Sequence, residues 1–205
     1  MSEVRVLDVS ALPRSTADSR ALIWWGNLGM MVIEGTVFCL AFATFIYLRM
    51  KNADWPPASV PKPHMLLPTI NLVLLLLSGI PSLYADAAAR REDLNAVRLG
   101  MALFIAMGTV FIIIRFVVIA HLGYKWSDHA FGSIVWVVIG MHLFHCITAS
   151  GENLMLLIYL FVRPATRKRY LDVRCAAVYW YFVILSWLPF YVLIFVQPWI
   201  HRKGS

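Results

Sequence analysis

Charged residues are scarce in this chain of 205 residues: Asp, Glu, Lys and Arg together make up 14% of it, against 60% hydrophobic residues. A soluble domain has about 25% charged and about 45–50% apolar residues. A soluble fold of this size buries only about 70% of its chain's surface, so it cannot hide this many apolar side chains. The composition therefore excludes a soluble enzyme, a disordered tail and a disulfide-stapled secreted domain. It predicts a membrane protein.

Cysteines are few and the common catalytic motifs are missing. The 3 cysteines form no C-x-x-C pair, and each lies in or beside an apolar run, which is typical of small buried hydrophobic residues. The sequence has no G-x-S-x-G, no H-E-x-x-H and no Gly-rich phosphate loop. The net charge of +7 comes from short connectors, not from a basic arm interleaved with aromatic residues, so we expect no nucleic-acid partner. We predict no catalytic residue and no metal ligand in the chain.

Five long apolar runs dominate the rest of the sequence. A membrane-spanning helix needs about 20 mostly apolar residues, whereas the strands of a membrane β-barrel are alternating segments of about 10 residues. The runs cover residues 24–48, 65–85, 99–120, 131–162 and 175–200. They predict an all-α, polytopic membrane protein, a five-helix transmembrane bundle. A polar N-terminal tail (1–23) and a short C-terminal tail (201–205) flank this membrane domain.

The basic residues in the connectors predict an orientation. Eleven Lys and Arg residues lie on the side of the N-terminus and six on the other side. The connector between the fourth and fifth runs contributes five of the eleven. Because cytoplasmic loops are enriched in Lys and Arg, we expect a cytoplasmic N-terminus and a periplasmic C-terminus.

Ionisable side chains inside the runs are few, and each costs about 2.5–3.5 kcal/mol or more at the bilayer centre. Glu34 lies ten residues after Trp24, and Glu152 lies ten residues before Val162. At 1.5 Å per residue, both lie about 15 Å deep, near the membrane midplane. We therefore expect Glu34 and Glu152 to be at equal depth on two helices.

Spacing places further polar groups on the face of Glu152. His142, His145 and Glu152 recur at helical intervals and form one stripe of the fourth helix. This stripe and Glu34 are predicted to turn inward, toward each other or toward a partner protein. Three interpretations are open: a metal or haem site, a proton or substrate path, and a polar seam that sets helix packing. A di-iron site is disfavoured because the Glu-x-x-His pairs that usually complete one are absent.

Other polar and aromatic residues are candidates for contacts outside the bundle. Arg115 lies five residues from the outer end of the third run, and we expect it to snorkel outward or to bind a lipid phosphate. Trp24, Trp25 and Trp180 are predicted to lie at headgroup level, in contact with lipid or a partner subunit.

Four ordered stretches resemble subunit III of the haem–copper oxidases. They are a buried-glutamate helix at 29–38, an L-P-x-x-N start with a Ser/Gly pair at 67–79, a D-x-x-F-G-S segment leading to G-x-H-x-x-H at 128–145, and an aromatic final helix at 176–188. The sequence also departs from the family pattern. It has no acid at 115–119, and Tyr181 and Ile184 stand where the family usually has His and Asp.

The resemblance implies the short, five-helix bacterial form of subunit III, in the bacterial inner membrane. Such a subunit is not an enzyme by itself. It packs on subunit I, with subunit II in the same complex, and the partner subunits hold haem and copper. It binds phospholipid and supports proton uptake and stable turnover. The family's buried glutamate carries over to Glu34 and its paired histidines to His142 and His145, whereas Glu152 rests on the helix stripe alone.

The residues alone leave three alternatives to this role open. One is the accessory subunit of a quinol oxidase or a nitric oxide reductase. Another, from a different class, is a small proton or solute transporter, which the two mid-membrane acids Glu34 and Glu152 favour. A metal or haem enzyme using His142 and His145 is the third.

Overall fold

The computed structural model describes residues 22–61, 64–163 and 165–201. The helices in this part of the chain are α1 (Leu22–Lys51), α2 (Leu66–Arg90), α3 (Leu94–Ala120), α4 (Ala130–Val162), α5 (Arg167–Tyr191), a π-helical turn (Val192–Val196) and α6 (Gln197–His201). Five spans are long and apolar enough to cross a membrane, the fifth running from Arg167 to Val196. The prediction of an all-α, five-helix membrane fold is confirmed.

The helices are longer than the apolar runs. Helix α3 begins at Leu94 because the Asp93 carboxylate accepts a hydrogen bond from the Ala96 amide at 3.1 Å, which caps the helix. Helix α5 begins at Arg167, eight residues before the predicted start, and its first two turns are polar. Helix α1 includes the last two residues of the expected N-terminal tail. The rest of that tail (1–21) and residues 202–205 lie outside the described residues.

Helix α5 lies at the centre of the bundle and contacts α1, α2 and α4, while α3 packs between α2 and α4. In the apolar spans of α4 and α5, 50% and 56% of the residues are buried, against 11% in that of α1. Helix α1 is therefore the outermost element, attached to the bundle along one side. This side holds Glu34.

A glycine lets α2 and α3 approach each other closely. A Cβ atom at Gly100 of α3 would lie 3.0 Å from both Cβ and N of Ala85 on α2. Small residues at such a crossing let two membrane helices approach closely without a void. The main core beyond it is aromatic and includes Phe111, Trp180, Trp187 and Phe190.

Candidate functional site

Glu34 lies where α1, α4 and α5 meet. The Tyr179 hydroxyl of α5 donates a hydrogen bond to Glu34 Oε2 at 2.8 Å. His145 Nε2 of α4 lies 3.7 Å from the same oxygen. The side chains of Glu34 and His145 are 23% and 14% exposed. Three helices thus bring an acid, a base and a phenol together at the edge of the bundle.

The geometry of His145 determines where its protons lie. Its Nδ1 is 2.6 Å from the Met141 carbonyl oxygen, which only accepts, so Nδ1 carries a hydrogen. Nε2 is therefore the ring nitrogen that faces Glu34. Transfer of a proton between His145 Nε2 and the Glu34 carboxylate would leave the net charge of the pair unchanged. At 3.7 Å the transfer needs a small movement or a bridging water.

Aromatic rings hold this pair in place. The Phe38 ring, one turn from Glu34 on α1, lies 5.1 Å from the His145 ring between centroids. Phe38 is itself buried and packs edge-on against Phe182, with ring centroids 5.9 Å apart. These contacts restrict the orientation of the His145 ring.

Glu152 lies two turns further along α4 and is not bonded to Glu34. It is exposed to a cavity of about 560 Å³ whose walls also include Asn27, Lys168, Asp172 and Tyr179. Tyr179 therefore lines the cavity that contains Glu152 while its hydroxyl bonds to Glu34.

His142 points away from this cluster into the core. Its Nε2 lies 3.1 Å from the Val183 carbonyl oxygen, and its Nδ1 lies 3.6 Å from the Cys146 sulfur. Nε2–H therefore donates to Val183, and Nδ1 accepts from the Cys146 thiol, so both nitrogens are occupied. Within the described ranges there is no group of three or more His, Cys, Asp or Glu residues that could hold a metal ion.

The expectation that Arg115 snorkels outward or binds a lipid phosphate is wrong. Its side chain is 2% exposed, and its guanidinium carbon lies 3.9 Å from the centre of the Trp187 ring and 5.0 Å from that of Phe111. Side chains on a helix lean toward its N-terminus. Arg115 lies near the C-terminal end of α3, so its side chain leans back along the helix, toward the turn of Phe111.

The prediction of a lipid or partner contact is also wrong for Trp180. This residue is fully buried, its Nε1 donates to Ser78 Oγ at 2.9 Å, and its ring packs edge-on against Phe104. The reason is the early start of α5: thirteen residues after Arg167, a helix has risen about 20 Å. Trp25 is 62% exposed, whereas Trp24 is half-buried beside Arg174.

Comparison with known proteins identifies the family. The family model for cytochrome c oxidase subunit III matches residues 18–199. The chain belongs to this family. Its relatives include the cytochrome c oxidase subunit 3 of Thermostichus vulcanus, 28% identical over 174 residues, which cover 83% of this chain and 85% of the relative. The subunit 3 of Synechocystis is 25% identical over 174 residues, which cover 84% of this chain and 74% of that relative.

Membership of the subunit III family identifies the chain as a multi-pass membrane protein and a non-catalytic subunit of a haem–copper oxidase complex. The resemblance seen in the sequence is therefore confirmed. Other oxidase subunits are its implied partners.

Several interhelical bonds in this subunit III were not predicted. The Tyr181 hydroxyl donates to the Gly79 carbonyl oxygen at 2.8 Å, and Asn71 Nδ2 donates to the Phe111 carbonyl oxygen at 2.9 Å. The L-P-x-x-N and Ser/Gly motifs include Asn71 and Gly79, but the sequence did not predict their hydrogen-bond partners, Phe111 and Tyr181. Ile184 is buried among apolar side chains.

Proposed function

We propose that this chain supports proton uptake by a terminal cytochrome c oxidase of the bacterial inner membrane, through Glu34. It packs on subunit I, next to subunit II, with its N-terminus in the cytoplasm and its C-terminus in the periplasm. Haem and copper belong to those partner subunits. The observation that carries the proposal is the contact of Glu34 with both Tyr179 and His145.

The cavity beside Glu152 supplies a route to this cluster. Its walls include Lys168, Arg169 and Asp172, all in the first turns of α5, at the end that the excess of basic residues assigns to the cytoplasm. A cavity of about 560 Å³ with these polar groups has room for a chain of waters. Protons entering there pass Glu152 and Tyr179 and reach Glu34. Glu34 then binds the proton, which neutralises its carboxylate.

An apolar groove between α1 and α5 is the proposed phospholipid site. It has a volume of about 700 Å³, and its walls include Phe42, Phe182, Leu185 and Phe190. A groove of this chemistry, open to the surface of a membrane helix bundle, fits an acyl chain. A bound lipid here would hold α1, the least buried helix, against α5.

Replacement of Glu34 by Gln tests the proton function. The amide oxygen still accepts the hydrogen bond from Tyr179, but the proton that Glu34 exchanges is gone. We expect the complex to assemble, to take up protons several-fold more slowly and to lose activity earlier during sustained turnover. Stopped-flow proton uptake in reconstituted vesicles measures the rate.

The matched control is Glu92→Gln, which removes an exposed acid paired with Arg167 outside the site. This variant should behave like the wild type. If Glu34→Gln also shows wild-type uptake and wild-type lifetime, Glu34 is part of a packing seam and the proposal fails.

A further inference from the structure

Arg115 is a buried cation that the bundle does not neutralise. We propose that it binds one small inorganic anion, of the size of chloride, inside the bundle between α3 and α5. The site is separate from the Glu34 cluster, and the inference does not depend on the proton function.

The free edge of the guanidinium group defines the site. Arg115 Nε and Nη2 are buried and have no hydrogen-bond partner among the residues that the structure describes. These two N–H groups point the same way in the guanidinium plane and form the edge that binds carboxylates and other anions side-on. Trp187 covers a face of the group at 3.9 Å. An acceptor must therefore approach in the plane, at the Nε/Nη2 edge.

Charge argues for an anion over a water molecule. Within residues 22–61, 64–163 and 165–201, none of the ion pairs includes Arg115. An arginine remains protonated in proteins, and burying an unpaired charge is costly. The rings of Trp187 and Phe111 stabilise the cation only in part. A water would satisfy the two donors and leave the charge, whereas an anion provides the acceptor and the charge together.

The surroundings exclude other sources of negative charge. The acidic group that interacts with Arg115 is Cys146, and its thiol keeps its hydrogen because it donates to His142 Nδ1. Because Arg115 is 2% exposed, a lipid phosphate or a carboxylate of a partner subunit does not reach it. A small ion enclosed during folding is the ligand that fits.

Bromide substitution tests the proposal directly. The host is grown, and the chain is purified and crystallised with whatever subunits accompany it, with bromide in place of chloride throughout. The site is then filled during folding, however slowly the ion exchanges. We expect an anomalous bromide peak within hydrogen-bond distance of Arg115 Nε and Nη2. Density at this position without an anomalous bromide signal means a water molecule, and no density there means no ligand. Either result overturns the proposal.

Two variants locate the ion. Arg115→Met should remove this peak and leave other bromide peaks unchanged. Arg98→Met is the control, because Arg98 is an arginine of the same helix whose Nε already donates to the Leu160 carbonyl oxygen at 3.1 Å; it should keep the peak. If Arg115→Met does not fold, the wild-type map alone decides. A peak that persists in Arg115→Met contradicts the assignment.

Discussion

The Tyr179 hydroxyl donates to a carboxylate, whereas the Tyr181 hydroxyl, two residues along α5, donates to a backbone carbonyl. Hydrogen bonds to charged groups contribute about 1.5–3 kcal/mol. Interhelical hydrogen bonds in membrane proteins average about 0.6 kcal/mol. The two tyrosines therefore separate the effect of the Glu34 site from that of ordinary helix packing.

We predict that Tyr179→Phe lowers the free energy of unfolding by about 1.5 kcal/mol and slows proton uptake, because Glu34 loses its hydrogen-bond donor. Tyr181→Phe should cost about 0.6 kcal/mol and leave uptake unchanged. Thermal unfolding in detergent and vesicle uptake assays measure the two effects. Equal uptake rates in both variants would remove Tyr179 from the route.

At the scale of single residues, the sequence predicted which side chains meet better than it predicted which way a side chain points. The expectation that Glu34 turns toward the α4 stripe agrees with the 3.7 Å approach of His145. The expectations for Arg115 and Trp180 were wrong, since both are buried. These helices are apolar on nearly every face, so the sequence contains little information about helix rotation. Tyr179 was missed as a partner of Glu34 for the same reason.

At the scale of elements, the α2–α3 crossing is sensitive to a single methyl group. We predict that Gly100→Ala destabilises the protein by about 1–3 kcal/mol, since the new Cβ would lie 3.0 Å from the backbone nitrogen and Cβ of Ala85. Unfolding in detergent, followed by circular dichroism, measures the change.

Gly140 of α4 is the matched control. Nothing lies within 4 Å of a Cβ at this position, and the residue is exposed. Gly140→Ala should be neutral or stabilise the helix by about 0.5–1 kcal/mol, because alanine has the better helix propensity. If the two alanine variants are equally stable, α2 and α3 do not pack as closely as described.

The number and kind of membrane-spanning elements were predictable, but their ends were not. Hydropathy detects the part of a helix that lies in lipid, and Arg167–Tyr191 extends beyond it through a polar start. For α3, Asp93 before the apolar run was a readable cap signal that hydropathy does not use.

At the scale of the whole molecule, the exposed surface is typical of a membrane subunit that packs against other subunits. Only 11% of the residues in the apolar span of α1 are buried within the chain, and many large apolar side chains face outward on α1, α2, α3 and α4. Lipid covers part of such a surface. Family membership implies that other oxidase subunits cover the rest.

Native purification of the tagged chain in mild detergent, with an absorption spectrum and mass spectrometry of the eluate, tests the central claim most directly. We predict a haem spectrum and co-purification of larger oxidase subunits at constant stoichiometry, both missing from an untagged control strain. A chain that elutes alone, without haem, would contradict its assignment as an oxidase subunit.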